Sequence, residues 1–348
     1  PHHPPRQHSF PTRRSSDLSN GKRRYFPGAN TGRGFIGHFE GIVPPWSEPH
    51  YTYVLKGGPG VGKSTLMKKC AAIARANGFT VEEFRCASDP ESFDAVRIPQ
   101  RRLVLLDGTA PHTIDPAMPG IDGETLDLGR FLHKEVFKRR REELFVLAEE
   151  NRAHYKNAFA CLSAAGSLRR AAVSEAARSA DLTMIRTFLK EGFTLPKEGT
   201  PRILFLTSPT PAGVADFREA QDAENTVYLP GVLGAVFLNE AMKLVQNTQT
   251  EIFLHPLTPE APQCVRIGDT MLCAADDTRS TLNEFLLSPL SDFIPFAMQE
   301  AETLTAQAVE ELRLCKRTHD AIETIYRPFV DYDHVERETN RLLETLKL

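Results

Sequence analysis

The chain has 348 residues, 41% hydrophobic and 25% charged, with a net charge of −3 from 42 basic and 45 acidic residues. That is enough ordinary globular sequence for two domains with real cores. The charge balance gives no global attraction to nucleic acid, and no apolar run reaches the length of a membrane span, so neither partner is indicated. The six cysteines (Cys70, Cys86, Cys161, Cys264, Cys273 and Cys315) are scattered without a C-x-x-C pair. Reduced thiols in a cytoplasmic protein are the expectation, without a disulfide framework or a zinc site.

In chain order, residues 1–18 (PHHPPRQHSFPTRRSSDL) lack periodicity and are rich in Pro, His and Arg. The first methionine is Met67, and the segment reads as a foreign, disordered tail, a translated adaptor or vector sequence. Its histidines are therefore set aside as metal ligands. The closely spaced Gly28, Gly32, Gly34 and Gly37 read as a loop over the first strand.

Tyr51–Thr65 is the stretch around which the rest is organised. A run of β-formers leads into Gly57-Gly58-Pro59-Gly60-Val61-Gly62-Lys63-Ser64, then Thr65 and strong helix formers. This satisfies G-x-x-x-x-G-K-[ST] between a strand and a helix. Glycines let the backbone wrap a polyphosphate so that N–H groups at the helix N-terminus point inward. Lys63 can reach the β- and γ-phosphates, and the Ser64 hydroxyl can ligate Mg²⁺.

The helix is expected to run from Lys63 to about Asn77 and stop at Gly78. Thr80–Cys86 reads as a second strand, and Arg102–Leu106, ending in Asp107, as a third and fully buried one. This predicts the start of a parallel α/β sheet with crossover connections. From about Leu126 to Glu191 apolar residues recur at helical spacing without proline, predicting two or three long helices as an appended hairpin. Within it, Lys138-Arg139-Arg140-Arg141 reads as a solvated face.

A strand-like run at Arg202–Thr207 restarts the α/β pattern, and the restart is a repeat. Glu82–Thr109 aligns with Glu251–Thr278 at a constant offset of 169, with ten identities in 28 positions. Chance gives roughly two. Phe26, Thr31 and Gly34 likewise match Phe205, Thr210 and Gly213. Val227–Gly234 stands where a second phosphate loop belongs, with glycines but without Lys or Ser/Thr. The expected fold is two tandem α/β P-loop NTPase-type domains, the second degenerate, each with a helical appendage. The expected divisions are a tail at 1–18, the P-loop domain at 19–124, a helical insert at 125–195, the degenerate domain at 196–280 and a helical region at 281–348.

GGPGVGKSTLMKK (Gly57–Lys69), FRCASDPESFDAVRIP (Phe84–Pro99), LLDGTAPHTIDP (Leu105–Pro116) and the late THDAIETIYRPF (Thr318–Phe329) together resemble an uncharacterised bacterial family of tandem P-loop ATPase-like proteins. The resemblance runs from about Arg23 to the C-terminus. It implies ATP binding and hydrolysis, and names no substrate. Relatives intact in both halves carry a second phosphate loop; this chain lacks its Lys.

Asp107 fits the strand-end carboxylate that holds the Mg²⁺ shell through water. Gly108 follows it, where many hydrolysing relatives carry a glutamate. Asp89, Glu91 and Asp94 read as acids of the loop after the second strand, any of which could position a water; His112 reads as a turn residue. Arg97 and Arg266 occupy equivalent places, and one half could lend an arginine to the other's phosphates. The expected function is a Mg²⁺-dependent ATPase with Lys63, Ser64 and Asp107 at its core, binding a nucleoside triphosphate and acting on a partner through its helical regions. The alternatives are a small-molecule or nucleotide kinase and a non-catalytic nucleotide-gated scaffold.

Overall fold

The structure, a computed structural model, describes residues 12–13, 22–109, 113–221, 225–275 and 282–348. His112, and the Asp276 and Thr278 matches of the repeat, lie outside the described residues.

The chain is a mixed α/β structure built on two six-stranded sheets. The first has the order β2 (Lys22–Tyr25), β6 (Val81–Arg85), β7 (Phe93–Ile98), β8 (Leu103–Asp107), β5 (Tyr51–Lys56) and β9 (Gly123–Asp127). The second has the order β10 (Arg202–Phe205), β14 (Glu251–His255), β15 (Thr258–Ile267), β16 (Thr270–Ala275), β13 (Asn225–Pro230) and β1 (Thr12–Arg13). Their first five strands run in the same relative directions. β2 and β6 are parallel, β6–β7–β8 is an antiparallel meander, and β8 and β5 are parallel again; β10, β14, β15, β16 and β13 repeat this. The edges differ, because β9 lies parallel to β5 while β1 lies antiparallel to β13. Thr12–Arg13, inside the stretch read as a disordered tail, thus form a short strand.

The expected parallel sheet is therefore only partly parallel. The element that changes it is β7. Phe93–Ile98 follows the tight Asp89–Ser92 turn and folds straight back on β6, so the acids before it looked like loop. The glycine-rich segment, read as a loop, is a hairpin of β3 (Gly28–Thr31) and β4 (Gly34–Gly37). Its counterpart is β11 (Thr207–Thr210) with β12 (Gly213–Asp216). In each turn a threonine hydroxyl donates to the glycine carbonyl three residues on, Thr31 to Gly34 at 2.7 Å and Thr210 to Gly213 at 2.8 Å.

Both sheets are buried on both faces, but by different partners. Successive residues of β8 alternate. Leu103 and Leu105 face Leu66, Met67 and Cys70 of α1 (Lys63–Ala76), while Val104 and Leu106 join Tyr25 and Phe84 against Phe253, Cys264 and Met271 of the second sheet. On that sheet's far face, Ile252, Val265 and Leu272 pack with α3 (Leu182–Gly192) and α4 (Gly231–Val245). The layers run helices, sheet, sheet, helices.

The long helical region holds two helices, within the expected number, the shorter α3 and before it α2 (Arg141–Ser179), of 39 residues and so about 58 Å long. It runs antiparallel to α5 (Phe293–Tyr326), with Ala158 and Leu162 of one against Ala308 and Leu312 of the other. Gly166 permits a close pass, since a Cβ there would lie 2.2 Å from the Leu257 carbonyl oxygen. Of the basic run before α2, Lys138 and Arg140 pair with Glu135 and Glu143 on the surface.

The helical appendages are exchanged. The chain leaves the first sheet through α2 and lays α3 on the second; it leaves the second through α5 and lays α6 (Tyr332–Leu346) on the first. Val335, Leu342 and Leu346 of α6 complete the core under α1, and Ile185 and Leu189 of α3 do the same beside α4. Each delivered helix begins at an aspartate N-cap, Asp331 accepting from the His334 N–H and Asp181 from Thr183 and Met184. The backbone joints match as well, Asp331 N–H to Phe131 O (3.0 Å) and Asp181 N–H to Phe285 O (2.7 Å).

Cys264 and Cys273 form a disulfide across β15 and β16, where reduced thiols were expected. Facing positions of the hairpin bring them together, a relation that nine residues of spacing does not announce. Among the described residues, no helix is long and apolar enough to cross a membrane.

Candidate functional site

Gly57–Gly62 links β5 to α1 at the edge where β5 and β8 both end. Gly57, Gly60 and Gly62 have φ of 146°, 73° and 98°, in the region that side-chain-bearing residues avoid, so the turn demands glycine at each. Pro59 and Gly58 form its partly exposed crest, and Val61 is buried beneath it. Lys63, Ser64 and Thr65 form the first turn of α1, whose N–H groups have no partners within the helix. Thr65 faces solvent.

The Lys63 ammonium donates to the carbonyls of Gly57 (2.7 Å) and Gly58 (3.0 Å) and lies 3.7 Å from the Asp107 carboxylate. Burial pulls its pKa below the ordinary lysine value, against the opposing pull of Asp107. Asp107 also accepts from the Thr109 N–H at 2.9 Å, and the Thr109 hydroxyl donates to the Gly57 carbonyl. Ser64 Oγ accepts from the Phe93 N–H at 3.1 Å, tying the head of α1 to the start of β7. The structure thus brings Lys63 and Asp107 together, with Ser64 next to Lys63 in the first turn of α1.

Asp94 joins them. On β7 it is only 5% exposed, hydrogen-bonded to Cys86 and electrostatically coupled to Asp107 and Lys63. Burial first, then the Asp107 charge, raises its pKa to about 7. It is not a loop acid. Asp89 is one: it accepts from Glu91 N–H and Ser92 Oγ and lies 3.6 Å from Lys316 of α5, while Glu91 is exposed. Gly108 can carry no side chain, since a Cβ there would lie 2.3 Å from Val54 Cγ1 and 2.9 Å from Ile114 O.

Arg97 and Arg266 are not at the glycine loop. Arg97 donates to His50, Glu82 and Ser47, and Arg266 to Glu251, all at the opposite end of the strands.

The residues that sequence reasoning missed come from the far end of the chain. Tyr326 packs against Gly58, where an added Cβ would lie 3.0 Å from its ring. Arg327 lies over Gly60, Val335 over Gly62, and the Tyr332 hydroxyl donates to the Gly60 carbonyl at 2.9 Å. Glu323, held down at about 2 chiefly by hydrogen bonds from His319 and Arg327, extends its charge toward Lys63. THDAIETIYRPF contains four of these residues, but nothing local in it says that it caps a loop some 260 positions earlier.

Among the described residues, the second half has no counterpart to this loop. Pro230 ends β13 and Gly231 begins α4, with no intervening loop. Gly234, expected in a degenerate phosphate loop, lies inside α4 and lets the helix approach the Leu229 carbonyl. The loop is missing, not merely stripped of its lysine.

Among the described residues, no group of three or more His, Cys, Asp or Glu is placed to hold a metal ion. Comparison with protein-family models, with curated proteins and with solved structures finds no match to the chain.

Proposed function

We propose that the chain is a Mg²⁺-dependent ATP-binding protein of the P-loop type that hydrolyses ATP, built from a duplicated unit of which only the first half binds nucleotide. The observation that carries this reading is the Lys63 ammonium at the head of α1, behind three glycines of positive φ and 3.7 Å from the strand-end carboxylate of Asp107. Backbone N–H groups of the loop and helix would receive the β- and γ-phosphates, with Lys63 exchanging its carbonyl contacts for phosphate oxygens. The duplicated ancestry rests on the ten identities and on two sheets with the same order and directions over five strands.

Ser64 and Asp107 suit a magnesium ion that keeps most of its water and shares phosphate oxygens, since both offer hard oxygen donors. When bound, such an ion would neutralise developing charge on the phosphates. Gly108 excludes a carboxylate from the position after Asp107. Asp94, buried and electrostatically coupled to Asp107 and Lys63, would be the carboxylate that takes a proton from an attacking water.

The same residue favours a second reading, a small-molecule kinase in which Asp94 accepts the proton of a substrate hydroxyl. In either case the cap at Tyr326, Arg327 and Tyr332 gives nucleotide state a route to the helical arms. The Phe137 ring packs tilted against Tyr326, centroids 4.4 Å apart, just before α2 begins, and Phe145 and Val146 on α2 are exposed for a partner. Incubating residues 19–348 with γ-labelled ATP and Mg²⁺ tests the reading. Label released as inorganic phosphate supports hydrolysis, label on an added acceptor supports the kinase, and label retained in ATP contradicts both.

A further inference from the structure

At the end of the strands opposite the phosphate loop, a cavity of about 580 Å³ opens between the two halves. Four arginines line it: Arg23, Arg97, Arg202 and Arg266. Three carboxylates accompany them, Glu82, Glu251 and Asp269. The set is nearly symmetric under the repeat, because Glu82 and Glu251 are equivalent positions, as are Arg97 and Arg266, and Arg23 and Arg202.

Arg202 joins the halves directly. Fully buried, it donates to Glu82 (2.9 Å), to Glu251 (2.8 Å) and to the Gly41 and Ile42 carbonyls. One guanidinium bridging two carboxylates completes that seam. Arg97 at 2.9 Å and Arg23 at 3.9 Å are then further cations on Glu82, and Arg266 at 2.8 Å a further one on Glu251. Their side chains form the cavity wall, where Arg23 is 31% exposed and Arg266 16%. The lining carries four guanidinium groups against three carboxylates. Burial and then Arg97 push the His50 pKa down to about 4, so this neighbour adds no charge of its own near neutral pH. Thr80, Gln100 and Gln249 supply neutral hydrogen-bonding groups around the arginines.

We infer that this cavity is a binding site for a small organic polyanion bearing phosphate or carboxylate groups. Guanidinium forks match both oxyanions in plane and spacing, and charge-assisted bonds to them are the strongest available to a side chain. The volume is that of a small-molecule site. Because equivalent residues of both halves form the walls, a bound ligand would bridge them.

The test uses the full chain carrying Lys63→Ala, which removes the phosphate loop as a competing anion site. Calorimetric titrations with inorganic pyrophosphate and with citrate, at low salt, are compared with the same titrations after adding Arg23→Gln or Arg266→Gln. The expected result is one saturable site per chain for at least one probe, weakened roughly tenfold or more by each arginine change. Tighter binding of pyrophosphate identifies a phosphate ligand and tighter binding of citrate a carboxylate. Arg23, the more exposed of the pair, decides the matter if Arg266→Gln lowers the melting temperature. Absence of saturable binding by both probes, or binding indifferent to Arg23→Gln, overturns the inference.

Discussion

The Lys63 ammonium lies 3.7 Å from the Asp107 carboxylate, joining the first residue of α1 to the last residue of β8. Two adjacent parallel strands place them there: Leu55 of β5 is in register with Asp107, and the glycine loop carries the chain from β5 to Lys63. Asp107→Asn keeps the shape and can still accept from the Thr109 N–H, but loses the charge that would orient a metal's water shell. Triphosphate binding should weaken by roughly tenfold or more with Mg²⁺ and change little without it. Titration with and without the metal checks this; equal loss in both would assign Asp107 to folding.

Asp94 makes stability depend on pH in an unusual direction. Its folded pKa of about 7 is above the ordinary aspartate value, so between roughly pH 4 and 7 the native state holds a proton that the unfolded state has lost. That contribution is fully present below about pH 4 and is lost as pH rises through 7. Asp94→Asn, neutral throughout, should raise stability at pH 8 by on the order of 2 kcal/mol and alter it little at pH 4. Denaturant melts at both pH values measure the difference; a loss of stability at pH 8 would contradict the assignment.

The exchanged helices make the glycine loop depend on the end of the chain. Val335 of α6 lies 3.3 Å from where a Cβ on Gly62 would stand and is buried in the core beneath α1. Val335→Asp should cost about 2–4 kcal/mol, because an unpaired carboxylate replaces a packed side chain. It should also weaken triphosphate binding, although position 335 is remote in sequence from the loop. Chemical denaturation and nucleotide titration of one preparation check both parts.

Arg202 bridges Glu82 and Glu251, each buried. The bridge holds Glu251 down at about 2 despite its burial. Arg202→Leu leaves two buried carboxylates short of their main counter-charge and should destabilise the protein by about 3–5 kcal/mol at pH 7. Arg202→Leu with Glu82→Gln and Glu251→Gln should recover most of that loss, which equilibrium unfolding of the wild type and the two variants resolves.

Local chemistry made part of this legible. The strand before Gly57, the helix after it and the buried run ending in Asp107 are each written in contiguous residues. β7 was hidden because Asp89-Pro90-Glu91-Ser92 is strong turn sequence and Phe93–Ile98 is too short to show a period. The four-layer packing was hidden for a different reason: Val104 and Leu106 read as a buried face whether a helix or a second sheet covers them. The cap of Tyr326, Arg327, Tyr332 and Val335 depends on a crossing of the two halves that no local pattern encodes.

The central claim is one nucleotide site per chain, in the first half. Calorimetric titration of residues 19–348 with a non-hydrolysable ATP analogue and Mg²⁺ tests it, with Lys63→Ala titrated alongside. The predicted stoichiometry is one, and the lysine variant should lose on the order of a thousandfold in affinity, since the phosphates lose their buried counter-charge. A stoichiometry near two with the second event surviving Lys63→Ala, or wild-type affinity in that variant, would contradict the account.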